Sequence, residues 1–128
     1  MADEYDGPDE RLVELAHQMF DLARSGETEQ LGAYVEAGVP VDLTDASGNT
    51  LLMLAAYHGN HETVAMLAGR GADVDRANDR GQTPLAGAVF KAEVDVVSVL
   101  LGAGADPDAG KPSARETAAL FGQSALLG

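Results

Sequence analysis

The sequence predicts an all-α solenoid of about four helix-turn-helix units, stacked side by side and joined by projecting turns. Two repeats and one periodicity predict it. Residues 45–77 recur at 78–110 with a period of 33, Gly48 returning as Gly81, Thr50 as Thr83, Leu52 as Leu85, Ala55 as Ala88, Val64 as Val97 and Leu67 as Leu100. The run Gly71-Ala72-Asp73 returns as Gly104-Ala105-Asp106. Ahead of these, Leu12, Leu15, Met19 and Leu22 follow at the three- and four-residue spacing of an amphipathic helix. A fixed period of this length marks a stacked array, in which each unit buries its apolar face only against its neighbours. Such an array offers an extended surface rather than a catalytic pocket.

Residues 1–8 read as a disordered acidic tail closed by Gly7-Pro8. Asp9 and Glu10 suit the first turn of a helix, where anions meet the positive end of the helix dipole. Gly26 stops that helix. A second, shorter one fits Glu27 to Ala37, with Leu31, Tyr34 and Val35 turned inward and Gly38 at its end. On the repeat period Gly26 maps to Gly59, Leu31 to Val64 and Asp42 to Asp75, so residues 9–44 are a first, drifted unit. Its leading helix is more polar on the side without a neighbour, as a cap requires.

In the second unit, 45–77, Thr50 is a good N-cap for a helix running to about His58. Gly59 ends it, and Asn60 is placed to cap the next helix, which buries Val64 and Leu67 and ends at Gly71. In the third, 78–110, Thr83 caps and Pro84 takes the first helical position, where its missing N–H costs nothing. Val97, Leu100 and Leu101 form the inner stripe there, and Gly104 closes the unit. Asp45 to Asn49, Ala77 to Gln82 and Asp108 to Lys111 have the Asp, Asn and Gly content of tight turns projecting from the stack. The last unit, 111–128, begins a further pair. Two registers are open: spacing of 33 puts Phe121 opposite Ala88, whereas alignment on Gly122, the preferred one, shortens the preceding turn by three residues and places Ala118 and Ala119 over Ala88 and Val89, where small residues let helices approach. Ser124 to Leu127 would be a truncated second helix.

Gly48-Asn49-Thr50-Leu51-Leu52-Met53-Leu54-Ala55-Ala56-Tyr57-His58-Gly59-Asn60, followed by Gly71-Ala72-Asp73-Val74-Asp75, resembles the ankyrin repeat. That pattern is G-x-T-P-L-H-x-A-A-x-x-G-H, then V-x-x-L-L, then G-A-D-V-N. Gly81-Gln82-Thr83-Pro84-Leu85 and Gly104-Ala105-Asp106 match it in the third unit. Three departures stand out. Met53 and Ala86 replace the His of T-P-L-H, Asp75 and Asp108 replace the Asn after G-A-D-V, and Pro107 breaks that run in the third unit.

The resemblance implies a protein-binding scaffold whose concave face is built from the projecting turns and the first helix of each unit. Carried over by position, the contact sites are Ala46, Ser47, Asn49, Tyr57, His58 and Ala77 in the second unit. In the third they are Asp79, Arg80, Gln82, Phe90, Lys91 and Gly110. Of these, Ser47, Asn49, Tyr57, His58, Asp79, Arg80, Gln82, Phe90 and Lys91 are the candidate partner-binding residues. Tyr57 and Phe90 occupy equivalent positions, and an aromatic pair in one groove is the kind of anchor interfaces use. Two placements are open for the rings: facing the groove, or packed between units. Arg80 and Lys91 either meet an acidic group of a partner or balance Asp79 and Glu93.

Composition narrows the function classes. A net charge of -13 disfavours nucleic acid and anionic membrane surfaces, which need Lys and Arg. It favours solubility and a partner with a basic patch. Cysteine is absent, which excludes disulfide and thiol chemistry. No apolar run approaches the roughly 18 residues of a membrane span, and the start MADEYDGPDE lacks the order of a signal peptide. A cytoplasmic location is expected. Only Lys91 and Lys111 among the eight basic residues are Lys, a bias suggesting a GC-rich bacterial genome.

No catalytic or metal constellation emerges. His58 and His61 straddle Gly59, and no carboxylate pattern completes a shell. His17 lies off the apolar stripe and reads as solvated. The glycines at 102, 104 and 110 close a helix rather than open one, so they form no phosphate loop. The sequence therefore predicts a monomeric, non-catalytic protein-protein interaction module without metal or cofactor. The alternative is a self-assembling structural protein, its Ala125-Leu126-Leu127 end pairing with another copy.

Overall fold

A computed structural model describes residues 9–128; the predicted acidic tail, 1–8, lies outside the described residues. The chain forms α1 (Glu10–Ser25), α2 (Thr28–Glu36), α3 (Leu51–Tyr57), α4 (His61–Gly69), α5 (Pro84–Phe90), α6 (Val94–Gly102) and α7 (Ala114–Leu120), then a 3-10 turn at Ser124–Leu127. First helices α1, α3, α5 and α7 pack in one row, each against the next. Helices α2, α4 and α6 and the 3-10 turn form a second row behind them. The core lies between the rows and between successive units. It is built from Met19, Phe20, Leu31, Leu51, Leu52, Leu67, Leu85, Val89, Val97 and Leu100, with Ala55, Ala88 and Ala118 where first helices meet.

Helix α1 starts on the Asp9 carboxylate, which accepts the Arg11 N–H at 2.9 Å, and the other three first helices start on a hydroxyl cap. The side chains of Thr50, Thr83 and Ser113 accept hydrogen bonds from the backbone N–H of Met53, Ala86 and Glu116 respectively, at 3.0, 3.1 and 3.1 Å. All three caps are buried, so losing one would orphan an N–H away from water. At Ser113 the bond is reciprocated: Glu116 Oε1 accepts the Ser113 N–H at 2.9 Å, completing a capping box. The S-x-x-E pattern at 113–116 carries this signal in the sequence, although the sequence expectations do not use it. Buried Thr63 is satisfied by Thr28, hydroxyl to hydroxyl at 2.7 Å. Among the described residues no buried side-chain polar atom lacks a partner.

The first helices end where the chain turns left-handed: Gly26 at φ 73°, Gly59 at 77° and Gly122 at 67°. The equivalent position in the third unit is Ala92, which holds the same turn at φ 56° despite its Cβ. The last unit takes the shortened register, α7 running 30 residues after α5. Ala118 is buried there, whereas Ala119 is exposed.

Three expectations need correction. Leu12 does not belong to the inner stripe; it is 64% exposed. Helix α1 has 16 residues against seven in α3, so its first turns overhang the stack, and the buried face is Met19, Phe20, Leu22 and Ala23. Asn60 precedes α4 but makes no side-chain cap bond. Its amide donates backwards to the carbonyls of Ala23 and Arg24, at 3.0 and 2.8 Å, closing the end of α1. Leu126 and Leu127 are half-buried against the core rather than forming the free apolar edge. The exposed apolar residues of the last unit are Leu120, at 76%, and Phe121, at 51%.

Candidate functional site: the concave groove

The turns that project from the stack are built by one device used twice. Asp45 Oδ1 accepts the N–H of Ser47 and Asn49, each at 2.9 Å. Thirty-three residues on, Asn78 Oδ1 accepts the N–H of Arg80 and Gln82, each at 3.0 Å. An Asx side chain folding its own backbone in this way fixes the turn without sheet partners. Backbone bonds close both loops, Asp45 N–H to Asn49 O and Asn78 N–H to Gln82 O.

Successive turns are also tied to each other. The Asp79 N–H donates to Ser47 O at 3.0 Å, Asn78 Nδ2 to Asn49 Oδ1 at 2.9 Å, and the Lys111 N–H to Gly81 O at 2.9 Å. The tips therefore form a continuous rim facing the first helices.

Between rim and helices lies a groove of about 520 Å³. Ser47, Asn49, Asp79, Arg80 and Gln82 form its turn side, Met53 and Leu54 its floor, and Tyr57 and Phe90 its helix side. Gly87 makes room for that floor: a Cβ there would come 2.9 Å from the Met53 methyl and 3.5 Å from the Tyr57 ring. Of the candidate contact residues, His58 and Lys91 are outside this lining, as are Ala77 and Gly110, while Ala46 is within it. Asn49 lines the groove with its amide already engaged by Asp45 and Asn78.

Both aromatic rings line the groove, and each has a partner from the next unit. Lys91 Nζ sits 4.9 Å from the centroid of the half-buried Tyr57 ring. Phe121 meets Phe90 edge to face, centroids 5.4 Å apart, leaving Phe90 49% exposed. Lys91 and Phe121 each immediately precede the left-handed residue ending their helix. The contact is thus one relationship repeated: the C-cap side chain reaches back over the ring of the unit before. His58 lies edge-on to Tyr57 at 5.9 Å.

A second hollow, of about 400 Å³, continues the surface toward the first unit. It shares Ala46 and Ser47 with the main groove and adds His17, Phe20, Asp21 and Arg24 from α1. His17 is exposed there, and Asp21 pairs with Arg24 at 3.1 Å. The sequence reading drew its contact sites from the two intact units and so missed this part. The period contains the signal, since Arg24 stands 33 residues before Tyr57.

Titration is perturbed at the far end of the stack. Arg115 Nε donates to Asp108 Oδ1 at 2.7 Å, and that bond holds the Asp108 carboxyl below the usual carboxylate range while raising Arg115. Among the described residues no group of three or more His, Cys, Asp or Glu is arranged to hold a metal ion. None of their helices is long and apolar enough to cross a membrane.

Comparison with known proteins gives the same picture as the geometry. A family model described as ankyrin repeats, in three copies, matches residues 19–111, well over half the chain. A Pseudomonas aeruginosa protein named as an ankyrin repeat protein is 43% identical over 58 residues, which are 45% of this chain. The matched stretch spans only 34% of that relative's length. Repeats of this kind are generally protein-protein interaction modules. From repeat period, stacked helix pairs and family match together, the chain belongs to the ankyrin-repeat family.

Proposed function

We propose that this chain is a non-catalytic module that binds one protein partner along its concave groove, working as a cytoplasmic monomer without nucleic acid, membrane, metal or cofactor. The observation that carries the reading is the meeting of Tyr57 and Phe90 on one groove wall opposite the hydrogen-bonded rim. Two rings over an apolar floor supply contact area at low entropic cost. Ser47, Asp79, Arg80 and Gln82 supply directional contacts from a fixed rim. His58 and Lys91 flank the Tyr57 ring at the edge of the groove, His58 edge-on and Lys91 over its face.

The test is a double substitution, Tyr57→Ala with Phe90→Ala, read by partner affinity and by thermal unfolding. Each ring lost is worth on the order of 1–2 kcal/mol, so affinity should fall at least 10-fold. Unchanged affinity in a folded double variant removes the groove as the contact surface.

A second reading rests on Leu120 and Phe121, exposed at the end of the stack. Two copies would meet there as a self-assembling structural protein. Sedimentation over a wide concentration range separates the readings, since a strictly monomeric chain ends this one.

A further inference from the structure

One aromatic ring of the groove wall already carries a cation, from a side chain just outside the lining. Lys91 reaches back from the end of α5 and lays its ammonium over the Tyr57 ring, 4.9 Å from the centroid. The face of an aromatic ring carries the negative part of its quadrupole and attracts such a charge. Lys91 itself is exposed, so water competes for its ammonium. Beside the ring, Met53 and Leu54 line the groove with the small apolar edge they leave exposed, 3% and 7%, against which a methylene stem can rest, and Asp79 puts a carboxylate on the rim.

We propose that the anchor this groove takes is a long cationic side chain, Arg or Lys, from a basic segment of the partner. The proposal rests on the groove reading above and names the chemistry of its occupant. In the complex the incoming cation lies over Tyr57 with its stem on Met53 and Leu54, and Lys91 is displaced into solvent.

The charges facing this hollow must be weighed together. Asp79 and Arg80 are adjacent on the rim and offset each other. The Asp45 carboxylate is occupied by the backbone of its own turn and by Asn49. Lys91 opposes an incoming cation. The local balance is therefore close to neutral, and the field of the whole chain decides. At a net charge of -13 that field draws basic segments inward and repels acidic ones.

Nitrogen-proton NMR titration of the full chain tests this with four capped pentapeptides, acetyl-Gly-Gly-X-Gly-Gly-amide, X being Arg, Lys, norleucine or Glu. Norleucine keeps the stem of Lys without its charge. The Arg and Lys peptides should shift the amides of Met53, Leu54, Tyr57 and Asp79. They should bind roughly 2- to 5-fold tighter than norleucine, the factor an exposed cation–π contact gives. Glu should bind weakest. Lys91→Met removes the resident cation and should tighten the Arg and Lys peptides further.

If norleucine binds as well as Arg, if Glu binds tightest, or if Lys91→Met weakens the Arg peptide, the cationic anchor is wrong while the groove stands. Shifts confined to other surfaces, or none up to about 10 mM peptide, overturn the groove and the anchor together.

Discussion

Asp75 Oδ1 accepts a hydrogen bond from the backbone N–H of Asp106, in the following unit, at 2.8 Å. Asp42 does the same for Asp73 at 3.1 Å, so the contact repeats with the stack. The resembling family usually carries Asn at the position of Asp75, and either side chain supplies the acceptor oxygen. Asp75→Ala should lose about 1 kcal/mol, the worth of one intramolecular hydrogen bond. Asp75→Asn should change stability little, or raise it by relieving negative charge. Urea unfolding of the two variants checks the contrast, and equal losses would remove the bond as the cause.

Asp108 stands one period after Asp75, and its carboxylate accepts from the Arg115 guanidinium. The folded Asp108 pKa is therefore depressed. The stability it contributes is present above the unfolded carboxyl pKa of about 4 and is lost as pH falls through the lower folded value. Both partners are exposed, so the effect on global stability is small. Carbon-detected titration should show Asp108 protonating at higher pH in Arg115→Gln than in the parent chain.

Ala92 holds the left-handed turn that Gly26, Gly59 and Gly122 hold in the other units. A Cβ in that conformation costs about 1 kcal/mol. Ala92→Gly should recover most of that cost and raise Tm by a few degrees. An unchanged or lower Tm would show that packing of the Ala92 methyl offsets the backbone cost.

Asn60 and Glu93 occupy equivalent positions after their left-handed residues. The Asn60 amide closes two carbonyls at the end of α1. Glu93 instead holds its carboxylate against Gly59, at the negative end of α3, with no proton to donate. Asn60→Ala should destabilise by about 1–2 kcal/mol, and Glu93→Asn should stabilise by up to about 1 kcal/mol. Thermal and denaturant unfolding of both variants give the signs, and destabilisation by Glu93→Asn would sink the equivalence.

The repeat made the fold legible because its fixed points are local. Thr50, Thr83, Gly26 and Gly59 act on their own helix ends, and a linear sequence displays such relations directly. Less was legible where a side chain acts on the neighbouring unit. Asn60 has the position of a cap, yet its bonds go to carbonyls 36 and 37 residues earlier. Leu12 fits the helical stripe by spacing, but burial depends on how far α3 extends beside it, which no spacing within α1 records. In the groove, the period brings Tyr57 and Phe90 to equivalent places. The lateral reach of Lys91 over Tyr57 and of Phe121 over Phe90 depends on the offset between stacked units, which appears only once they pack.

The bonds from Asp79 to Ser47 and from Lys111 to Gly81 have a consequence for the entropy of binding. Loops that are free before binding must be ordered by the partner, and that conformational entropy is subtracted from affinity. Here the rim is already a stitched ribbon. A segment entering the groove meets a preformed edge, so little of the interaction energy goes into shaping the receptor. The same stitching makes the tips mechanically coupled: displacing Ser47 strains the link to Asp79, and a ligand pressing on one turn is felt by the next.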